Sequence, residues 1–593
     1  MAGGVAEGGI GVMTDLNPQQ RALDWDALTS QEFDVLVVGG GITGAGVALD
    51  AATRGLRVAL VEARDLASGT SSRSSKLFHG GLRYLEMLDF ALVREALRER
   101  DLMISRLAPH LVTPVPFLYP LRHRGWERPY VGAGLLLYDA LAGRSPMPRH
   151  THMSKQRALR VAPALRPDSL TGALQYYDAA TDDARHTLTV ARTAAAHGAI
   201  VRSSTEVAGL IVEDGRVRGA HLRDIETGQV GDVRAGVVIG CTGVWSDHLH
   251  QMAGVPSPFR VRASKGVHVL VPRDRIESST GLILRTEKSV LFVIPWGEHW
   301  VVGTTDTPWD LELEHPAATR ADIDYILERV NSVLREPLSD DDIVGVYVGL
   351  RPLLAPPDPG DASHATTKIS REHQVAHPLP GLVSVAGGKY TTYRVMAEDA
   401  VDVAVTDLES PVQESVTANV PLLGADGLDD VRARMGEIAA ASGVPGSTVE
   451  RMIGRYGALL EEVLAPISDD PTLAQPVPGA PQHVLAEIRY AVTHEGAMHL
   501  DDVLTRRTRI SVDTAHRGEG SVRAVAAIVA PLLGWTPQQV EDEVSAYLQR
   551  VAQERASQAA LHDEAAQRAR SQAPDPRRSR TRGATYRDPS VAS

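Results

Sequence analysis

Three glycines near the amino terminus have the spacing of a phosphate-binding turn. Gly39, Gly41 and Gly44 form G-x-G-x-x-G. The first glycine permits a tight turn, the second lets backbone N–H groups approach a pyrophosphate, and the third lets a helix pack closely on a strand. Glu62 follows at a spacing that suits a hydrogen bond from a ribose hydroxyl. These residue types at this spacing could bind a dinucleotide.

A strand, a helix and a second strand must position these residues. Residues 35–38 (VLVV) form the continuous apolar run that a strand buried on both faces requires. A helix with apolar periodicity is expected over 45–54, and residues 57–61 return as a strand that ends in Glu62. An incidental glycine-rich turn is the alternative, but it does not explain why all of these elements are in register.

The residues after Glu62 distinguish an FAD-binding site from an NAD-binding site. Residues 67–76 (ASGTSSRSSK) carry small hydroxyl side chains and two cations, which could hydrogen-bond a second phosphate and pass an isoalloxazine ring. A flexible serine-rich linker has a similar composition. Residues 77–85 (LFHGGLRYL), however, pass directly into a helix-like segment, so the pattern favours FAD.

The stretch 39–86 resembles the amino-terminal signature of the FAD-dependent glycerol-3-phosphate dehydrogenases. These are the respiratory, quinone-reducing members of the wider group of flavoproteins similar to D-amino-acid oxidase. The resemblance covers approximately residues 32–550. Its further segments are GVH at 266–268, IPW at 294–296, VGTTD at 302–306, GLRPL at 349–353 and GGKYTTYR at 387–394.

The resemblance implies an α/β fold, in which a Rossmann-like FAD-binding domain carries an inserted antiparallel-sheet substrate domain and is followed by a C-terminal all-α domain. The boundaries predicted are 1–31 for a flexible N-terminal arm, 32–110, 176–260 and 346–408 for three parts of the FAD-binding domain, 111–175 for a membrane-facing and substrate region, 261–345 for the antiparallel substrate domain, 409–555 for a helical cap domain and 556–593 for a disordered tail.

The cofactor implied is FAD. The residues expected to bind it are Gly39, Gly41, Ile42, Thr43, Gly44, Glu62, Thr70, Ser71, Ser72, Lys76, His79, Gly80, Gly81, Val207, Gly243, Trp245, Gly388 and Thr391.

A phosphate on the substrate demands fixed cations, preferably the planar fork of arginine. The resemblance implies that Arg83 and Arg351 hold this phosphate and that Tyr84 adds a hydroxyl. Lys389 and Thr305 are expected either at the reacting end or in the phosphate site, and the sequence leaves both open. A structural ion pair is the alternative role for each arginine.

Oxidation of a secondary alcohol by a flavin also requires a group that removes the hydroxyl proton. His268 is the predicted proton acceptor, because an imidazole has a suitable pKa. A buried structural histidine is the alternative, and His79 is a second candidate for the base.

The resemblance therefore implies oxidation of sn-glycerol 3-phosphate to glycerone phosphate in glycerol catabolism, with electrons passed to a membrane quinone. An oxidase that passes electrons to oxygen would have the same substrate pocket, so only electron-acceptor kinetics separate the two. A flavin-binding subunit without turnover is a third possibility, against which Arg83, Arg351 and Lys389 count. An amino-acid oxidase is disfavoured, because one carboxylate does not need two arginines.

Composition sets limits on location and partners. The net charge of −13 argues against a general nucleic-acid-binding protein. The single cysteine, Cys241, cannot form an intramolecular disulfide, which fits a reducing compartment. No apolar run reaches the roughly 18–20 residues needed to cross a bilayer, and the first residues lack the basic region of a signal peptide. A cytoplasmic protein is expected.

Residues 117–143 have the composition of a membrane-surface segment. They interleave four basic residues with Trp126 and Tyr130, ahead of apolar residues 135–137. An ordinary loop followed by a core helix is the alternative. The resemblance favours peripheral association with the anionic cytoplasmic face of the membrane, because quinone is dissolved in lipid. It also suggests a homodimer.

Two further segments have residue types that suit metal binding or domain docking. His494, Glu495 and His499 form H-E-x-x-x-H, in which the second histidine is one residue late for the helix face of a zinc site, so no metal is predicted. Residues 506–509 (RRTR) either dock the C-terminal domain on the flavin domain or form an exposed basic turn.

Overall fold

A computed structural model describes residues 15–123, 125–286, 290–355 and 372–577, except for the side chains of Arg83 and Glu86. In chain order, the strands of these residues are β1 (Glu32–Val38), β2 (Val58–Val61), β3 (Leu77–Phe78), β4 (Thr113–Leu121), β5 (Thr151–Ser154), β6 (Gly172–Ala180), β7 (Ile200–Arg202), β8 (Thr205–Glu213), β9 (Arg216–Asp224), β10 (Val230–Gly240), β11 (Val261–Pro272), β12 (Gly281–Arg285), β13 (Val290–Trp296), β14 (His299–Gly303), β15 (Thr307–Pro308), β16 (Gly345–Leu354), β17 (His373–Leu379), β18 (Leu382–Gly387), β19 (Pro476–Val477) and β20 (Ala480–Val484).

The α-helices of the same residues are α1 (Pro18–Ser30), α2 (Ile42–Thr53), α3 (Arg83–Glu86), α4 (Phe90–Leu102), α5 (Glu127–Ala142), α6 (Lys155–Val161), α7 (Asp183–Ala196), α8 (Ser246–Met252), α9 (Arg320–Asn331), α10 (Tyr393–Ala404), α11 (Leu428–Ala433), α12 (Met435–Ser442), α13 (Gly446–Tyr456), α14 (Leu460–Leu464), α15 (Leu485–Thr493), α16 (Leu500–Asp502), α17 (Ile510–Asp513), α18 (Val522–Leu533), α19 (Pro537–Ala559) and α20 (Asp563–Arg570). None of them is long and apolar enough to cross a bilayer.

The first sheet has the order β17-β18-β10-β1-β2-β7, and the hairpin β8–β9 extends it beside β10. Its central strands β18, β10, β1, β2 and β7 are parallel. Helices α2, α7 and α10 pack together on one face, while α1 and the hairpin cover the other. The apolar run of β1 is buried because both faces are covered. The carboxyl ends of the parallel strands then meet at one edge, where α/β sheets bind their ligands.

The second sheet has the order β15-β11-β14-β13-β12-β4-β6-β3, with β16 also paired to β11 and β5 paired to β6. It is antiparallel except at the pair of β4 and β12. The predicted boundaries 261–345 for this sheet were wrong, because β3 to β6 and β16 also belong to it. Pairing between strands that are far apart in the chain leaves no local pattern in the sequence.

The C-terminal domain is helical apart from the short pair β19–β20, and a buried cluster of charges docks it on the domain that contains the first sheet. Arg506 and Arg507 both bond to Asp65, at 2.7 Å for Arg507. Arg509 bonds to Asp182 at 2.7 Å. The docking interpretation of residues 506–509 is confirmed, and the exposed-turn alternative is wrong.

Both predicted flexible ends contain docked helices. Helix α1 begins after Asn17, whose side chain accepts a hydrogen bond from Gln20 N at 2.7 Å, and it buries Trp25 and Leu28 against the first sheet. At the other end, α20 buries Ala566. The prediction of a flexible arm over 1–31 was therefore wrong for residues 18–30, and the prediction of a disordered tail over 556–593 was wrong for residues 556–577, because each segment covers apolar surface of the rest of the protein. Residues 1–14 and 578–593 lie outside the described residues.

Candidate active site

A cavity of about 880 Å³ lies between the two sheets, at the carboxyl ends of the parallel strands. At one end it is lined by the turn after β1, by Glu62 after β2 and by residues 241–245 after β10. At the other it is lined by His268, Arg351 and residues 387–391. Cavities of a few hundred to about 1,000 Å³ are typical of cofactor and substrate sites.

The turn after β1 needs glycine at two of the predicted positions. Gly39 has φ of +112°, and a Cβ atom there would lie 2.7 Å from the carbonyl oxygen of Cys241. A Cβ atom on Gly44 would overlap the carbonyl oxygen of Gly39. The third glycine therefore acts by letting α2 pack against the strand, and it does not line the cavity.

The amino terminus of α2 faces the cavity through Gly41, Ile42 and Thr43. A Cβ atom on Gly41 would lie 3.1 Å from the hydroxyl oxygen of Ser71. The backbone N–H of Ile42 donates to that hydroxyl at 2.9 Å. A helix terminus with exposed N–H groups and a serine hydroxyl can hold a diphosphate.

Glu62 lies beyond this turn, and its two carboxylate oxygens accept from the backbone N–H groups of Gly40 at 2.7 Å and Arg64 at 2.8 Å. Burial raises the pKa of this carboxyl. Each oxygen keeps a second lone pair, so the carboxylate can also accept from ribose hydroxyls. The turn, the helix terminus and this acid fit the adenosine diphosphate half of FAD.

The cavity collects most of the residues that the sequence predicts for FAD. Those that line it are Gly39, Gly41, Ile42, Thr43, Glu62, Thr70, Ser71, His79, Val207, Gly243, Trp245, Gly388 and Thr391. Those outside its lining are Gly44, Ser72, Lys76, Gly80 and Gly81.

Lys76 has a different role from the one predicted. Its ammonium group is buried, donates to Asp183 at 2.7 Å, and lies 4.8 Å from the ring centroid of Tyr347. It therefore forms an internal ion pair behind the cavity and cannot bind a flavin phosphate. The composition of the hydroxyl-rich run predicts that the chain passes along the cofactor site, but it does not show which side chains point into that site.

His268 lies at the same end of the cavity as Arg351 and Lys389, and its Nε2 is 2.9 Å from the hydroxyl of Ser75. The imidazole stacks on Tyr347, with ring centroids 4.8 Å apart. Burial, the charge of Arg351 and the charge of Lys76 lower the pKa of His268 well below its usual value. The ring is therefore neutral near pH 7 and can accept a proton.

Arg351 reaches the same end from β16, where it lies opposite Ser264 of β11. Its guanidinium donates to the hydroxyl of Thr304 at 3.1 Å and to the carbonyl oxygen of Thr305 at 3.3 Å. Asp306 lies 3.8 Å away. The predicted role of the Thr305 side chain was wrong, because it is buried outside the cavity lining and accepts from the backbone of residue 267. Thr305 instead orients Arg351 through its carbonyl oxygen.

Lys389 follows β18 and lines the cavity together with Tyr84. Its ammonium nitrogen lies 3.8 Å from the centroid of the Tyr84 ring, a cation–π contact that fixes its direction. The side chain of Arg83, which was also predicted to bind substrate, lies outside the described residues.

Two residues that hold His268 in place are not among those that the sequence predicts for the site. Tyr347 stacks on the imidazole because β11 and β16 pair with His268 opposite Tyr347. Ser75 reaches it from the hydroxyl-rich run, which was assigned to the flavin. No local motif indicates either contact, although an alternating strand pattern at 345–354 could have suggested a partner for β11.

Comparison with known proteins assigns the family. Residues 34–394 match a family model described as FAD dependent oxidoreductase, and residues 415–540 match the C-terminal domain of alpha-glycerophosphate oxidase. The chain is 55% identical over 562 residues to glycerol-3-phosphate dehydrogenase of Mycobacterium leprae, covering 95% of both chains. The chain belongs to the FAD-dependent glycerol-3-phosphate dehydrogenases. It is also 36% identical over 549 residues to the human mitochondrial enzyme of that name, covering 89% of this chain and 74% of the human protein.

Solved structures agree with this family. The glycerol-3-phosphate dehydrogenase of Bacillus halodurans, complexed with FAD, superposes with a TM-score of 0.74 at 28% identity and covers 91% of this chain and 98% of its own. An L-alpha-glycerophosphate oxidase of Mycoplasma pneumoniae, at 19% identity and a TM-score of 0.51, shares the fold alone; it covers 66% of this chain and 99% of its own. The predictions of fold class, flavoenzyme family and FAD as cofactor are confirmed for this dehydrogenase.

Proposed function

We propose that this dehydrogenase oxidises sn-glycerol 3-phosphate to glycerone phosphate in glycerol catabolism and passes the electrons to a membrane quinone. The observation that carries the proposal is that two cations, Arg351 and Lys389, line the same end of the FAD cavity as the neutral imidazole of His268. A phosphate ester with a neighbouring secondary alcohol matches this set of groups. The names of the relatives from Mycobacterium leprae and human mitochondria support it.

The phosphate would be held by Arg351 and Lys389. The guanidinium of Arg351 is oriented by the Thr304 hydroxyl and the Thr305 carbonyl, and the ammonium of Lys389 by the ring of Tyr84. Oriented cations lose less side-chain freedom on binding, so more of the charge-assisted attraction remains as affinity. They would also orient the carbon that carries the secondary hydroxyl.

His268 would take the proton of that hydroxyl. Its lowered pKa keeps the ring neutral, and the stack on Tyr347 with the Ser75 contact fixes its plane. Bound FAD would supply the hydride acceptor for the same carbon. The residues of the chain therefore bind, orient and deprotonate the alcohol.

The test is an anaerobic titration of the FAD-loaded protein with sn-glycerol 3-phosphate, followed by absorbance at the flavin bands. Bleaching is expected, with recovery of the oxidised spectrum on addition of a quinone analogue. sn-Glycerol 1-phosphate and glycerol are the matched controls, because they change the stereochemistry or remove the phosphate. Absence of bleaching in flavin-loaded protein would rule out the substrate assignment.

A glycerol-3-phosphate oxidase is the second candidate, because residues 415–540 match a domain described from alpha-glycerophosphate oxidase. The reduced protein from the same titration discriminates between the two. Reoxidation by dissolved oxygen as fast as by the quinone analogue would favour the oxidase, since the substrate pocket is the same for both acceptors.

Helix α5 supports association with a membrane surface. Trp126, Tyr130, Leu136 and Leu137 are exposed apolar residues at and along this helix, with relative exposures of 56%, 51%, 64% and 37%. The loop before it carries cations, including the exposed Arg122. An apolar face beside cations suits peripheral binding to an anionic cytoplasmic leaflet. Homodimerisation remains a prediction.

Cosedimentation with anionic vesicles tests this surface. Replacement of Trp126 and Leu136 by glutamate should release the protein into the supernatant while bleaching by substrate is unchanged. The matched control places glutamate at Val212 and Val230, which are exposed on the hairpin side of the first sheet. Equal vesicle binding by both double variants would exclude α5 as the membrane face.

A further inference from the structure

We propose that a second cavity, between the flavin-binding domain and the C-terminal segment, binds a tetrahedral oxyanion: inorganic phosphate or the phosphate group of a phosphomonoester. The cavity has a volume of about 120 Å³ and is lined by residues from the hydroxyl-rich run, residues 315–318, the C-terminal domain and residues 570–577. A cavity of this size has room for several waters, and so for one oxyanion of five heavy atoms.

Most of the cations around this cavity are neutralised by carboxylates. Arg506 is paired with Asp65 and with Asp501, the latter at 3.0 Å. Arg550 is paired with Asp501 at 3.1 Å and with Glu554 at 2.9 Å. The carboxylates nearest to the cavity on the side of the C-terminal domain are therefore already paired with arginines.

Arg73 is the exception. No hydrogen bond or ion pair joins its guanidinium to any residue in the part of the chain that the structure describes. Burial and the nearby charges of Arg570, Arg506, Arg550 and Arg64 lower its pKa to about 9, so the charged neighbours with the largest effects on it are all arginines. Arg73 is half-buried and lines the FAD cavity as well as this one, so its guanidinium lies between the two spaces without a carboxylate partner among the described residues. An anion in the smaller cavity would supply that partner.

Two other groups at the cavity support an anion. Arg570 lies 3.4 Å from Glu554, but that carboxylate is already shared with Arg550 at 2.9 Å. The Nδ1 atom of His315 is buried and has no hydrogen-bond partner among the described residues. An oxyanion beside Arg73 would accept from these guanidinium groups and satisfy the imidazole as a donor.

A metal ion is the competing ligand, because ligand atoms of Glu314, His315 and Asp575 lie within 4.8 Å of one another. Both carboxylates, however, are already paired with Arg64, at 3.0 Å for Asp575. A metal would have to displace this guanidinium within a region where arginines already repel each other. The charge around the cavity therefore favours an anion.

The anion would hold the C-terminal segment against the flavin domain. Asp575 and Arg577 of this segment line the FAD cavity as well as the second cavity. Arg73 lies on the flavin side and Arg570 on the segment, so one anion can bridge the two. Occupancy would then slow the opening of residues 563–577. This inference does not depend on the identity of the reducing substrate.

The experiment measures hydrogen exchange of residues 563–577 in the full-length, FAD-loaded protein, with inorganic phosphate or with chloride at equal ionic strength. Phosphate is expected to slow this exchange about fivefold or more in the native protein. Arg73→Gln should abolish the effect, while Arg218→Gln, a change of an exposed arginine on β9, should retain it. If Arg73→Gln does not fold, Arg570→Gln is the replacement, with the same expected loss.

Any one of four outcomes would overturn the proposal. Phosphate has no greater effect than chloride on the native protein; Arg73→Gln keeps the full effect; or Arg351→Gln loses it, which would place the anion in the substrate site. Release of FAD on addition of phosphate would also overturn it, because Arg73 would then serve the cofactor diphosphate. Glycerol 2-phosphate identifies the source: protection by both compounds indicates phosphomonoesters, and protection by inorganic phosphate alone indicates the free ion.

Discussion

The phenol ring of Tyr347 lies against the imidazole of His268, with ring centroids 4.8 Å apart and planes inclined by 12°. The two residues are direct partners in the antiparallel pair of β11 and β16. The Tyr347 hydroxyl donates to the carbonyl oxygen of Ser74 at 2.9 Å, next to the serine that contacts His268. The predicted base is therefore held on one face and at one nitrogen before substrate arrives.

Replacement of His268 by asparagine should lower the rate of flavin reduction by sn-glycerol 3-phosphate about 10²- to 10⁴-fold, because the proton acceptor is lost. Anaerobic stopped-flow absorbance measures this rate. Tyr347→Phe is the matched control, since it keeps the stacked ring and removes only the hydroxyl. A reduction rate in the His268 variant close to that of the native protein would make this histidine structural and leave His79 as the candidate.

The rate of flavin reduction should not fall when the pH is lowered through 6.5. The pKa of His268 is well below its usual value because of burial, Arg351 and Lys76, so the ring stays neutral and able to accept a proton as the pH falls through 6.5. The limiting rate of flavin reduction at saturating substrate, measured from pH 5.5 to 8, checks this, because the free phosphomonoester has a second pKa of about 6 that would affect binding. An acid limb with a midpoint near 6.5 would contradict the assignment of this imidazole as the base.

Replacement of Arg351 by methionine should raise the apparent Kd for glycerol 3-phosphate about 10- to 100-fold, since hydrogen bonds to a charged group contribute about 1.5–3 kcal/mol each. The dependence of flavin bleaching on substrate concentration gives this constant. Arg218→Met removes an exposed arginine on β9 and should leave it unchanged. If both variants bind the substrate equally well, the phosphate is held elsewhere.

Replacement of Gly44 by alanine should lower both stability and FAD content. The added Cβ atom would overlap the carbonyl oxygen of Gly39, so α2 must move away from β1, at a cost of about 1–3 kcal/mol or more. Gly454→Ala is the control, because a Cβ atom there meets no other atom within 4 Å. Flavin absorbance per protein and the Tm of both variants test this. A Gly44 variant with full FAD content and unchanged Tm would show that the contact is not required.

The stability of the docked C-terminal domain should fall as the pH rises from about 6.5 to 9. His499 is buried between Glu543 at 2.7 Å and Glu226 at 2.9 Å. Burial and Arg577 act to lower its pKa, but the two glutamates outweigh them and raise it to about 9. A raised pKa in the folded state stabilises the fold fully below the unfolded value near 6.5. This stabilisation, on the order of 3 kcal/mol, is lost as the pH rises through 9.

Thermal unfolding of native protein and of His499→Gln at pH 6 to 10 measures this contribution. The Tm of the variant should change less over this range than the Tm of the native protein. His221→Gln, a change of a half-exposed histidine paired with Asp232, is the control that should retain the native slope. Equal slopes for native protein and His499→Gln would exclude this imidazole as the titrating group.

The sequence by itself determined the phosphate-binding turn. The elements β1, Gly39 to Gly44, α2, β2 and Glu62 are consecutive in the chain, so the apolar periodicity and the glycine spacing act over short distances that a linear pattern records. The family resemblance added the residues around Arg351 and Lys389, because each lies in a short motif, Arg351 within β16 and Lys389 just after β18.

Only the tertiary structure decided which side chains of those motifs face the cavity. Lys76 was expected at the cofactor but pairs with Asp183, and Tyr347 lies on His268 because two strands about 80 residues apart adopt one register. The helices α1 and α20 likewise pack on the rest of the protein because the folded domains present apolar surfaces that these helices cover. Such contacts join residues that are distant in the chain, and their energies depend on geometry that local composition does not encode.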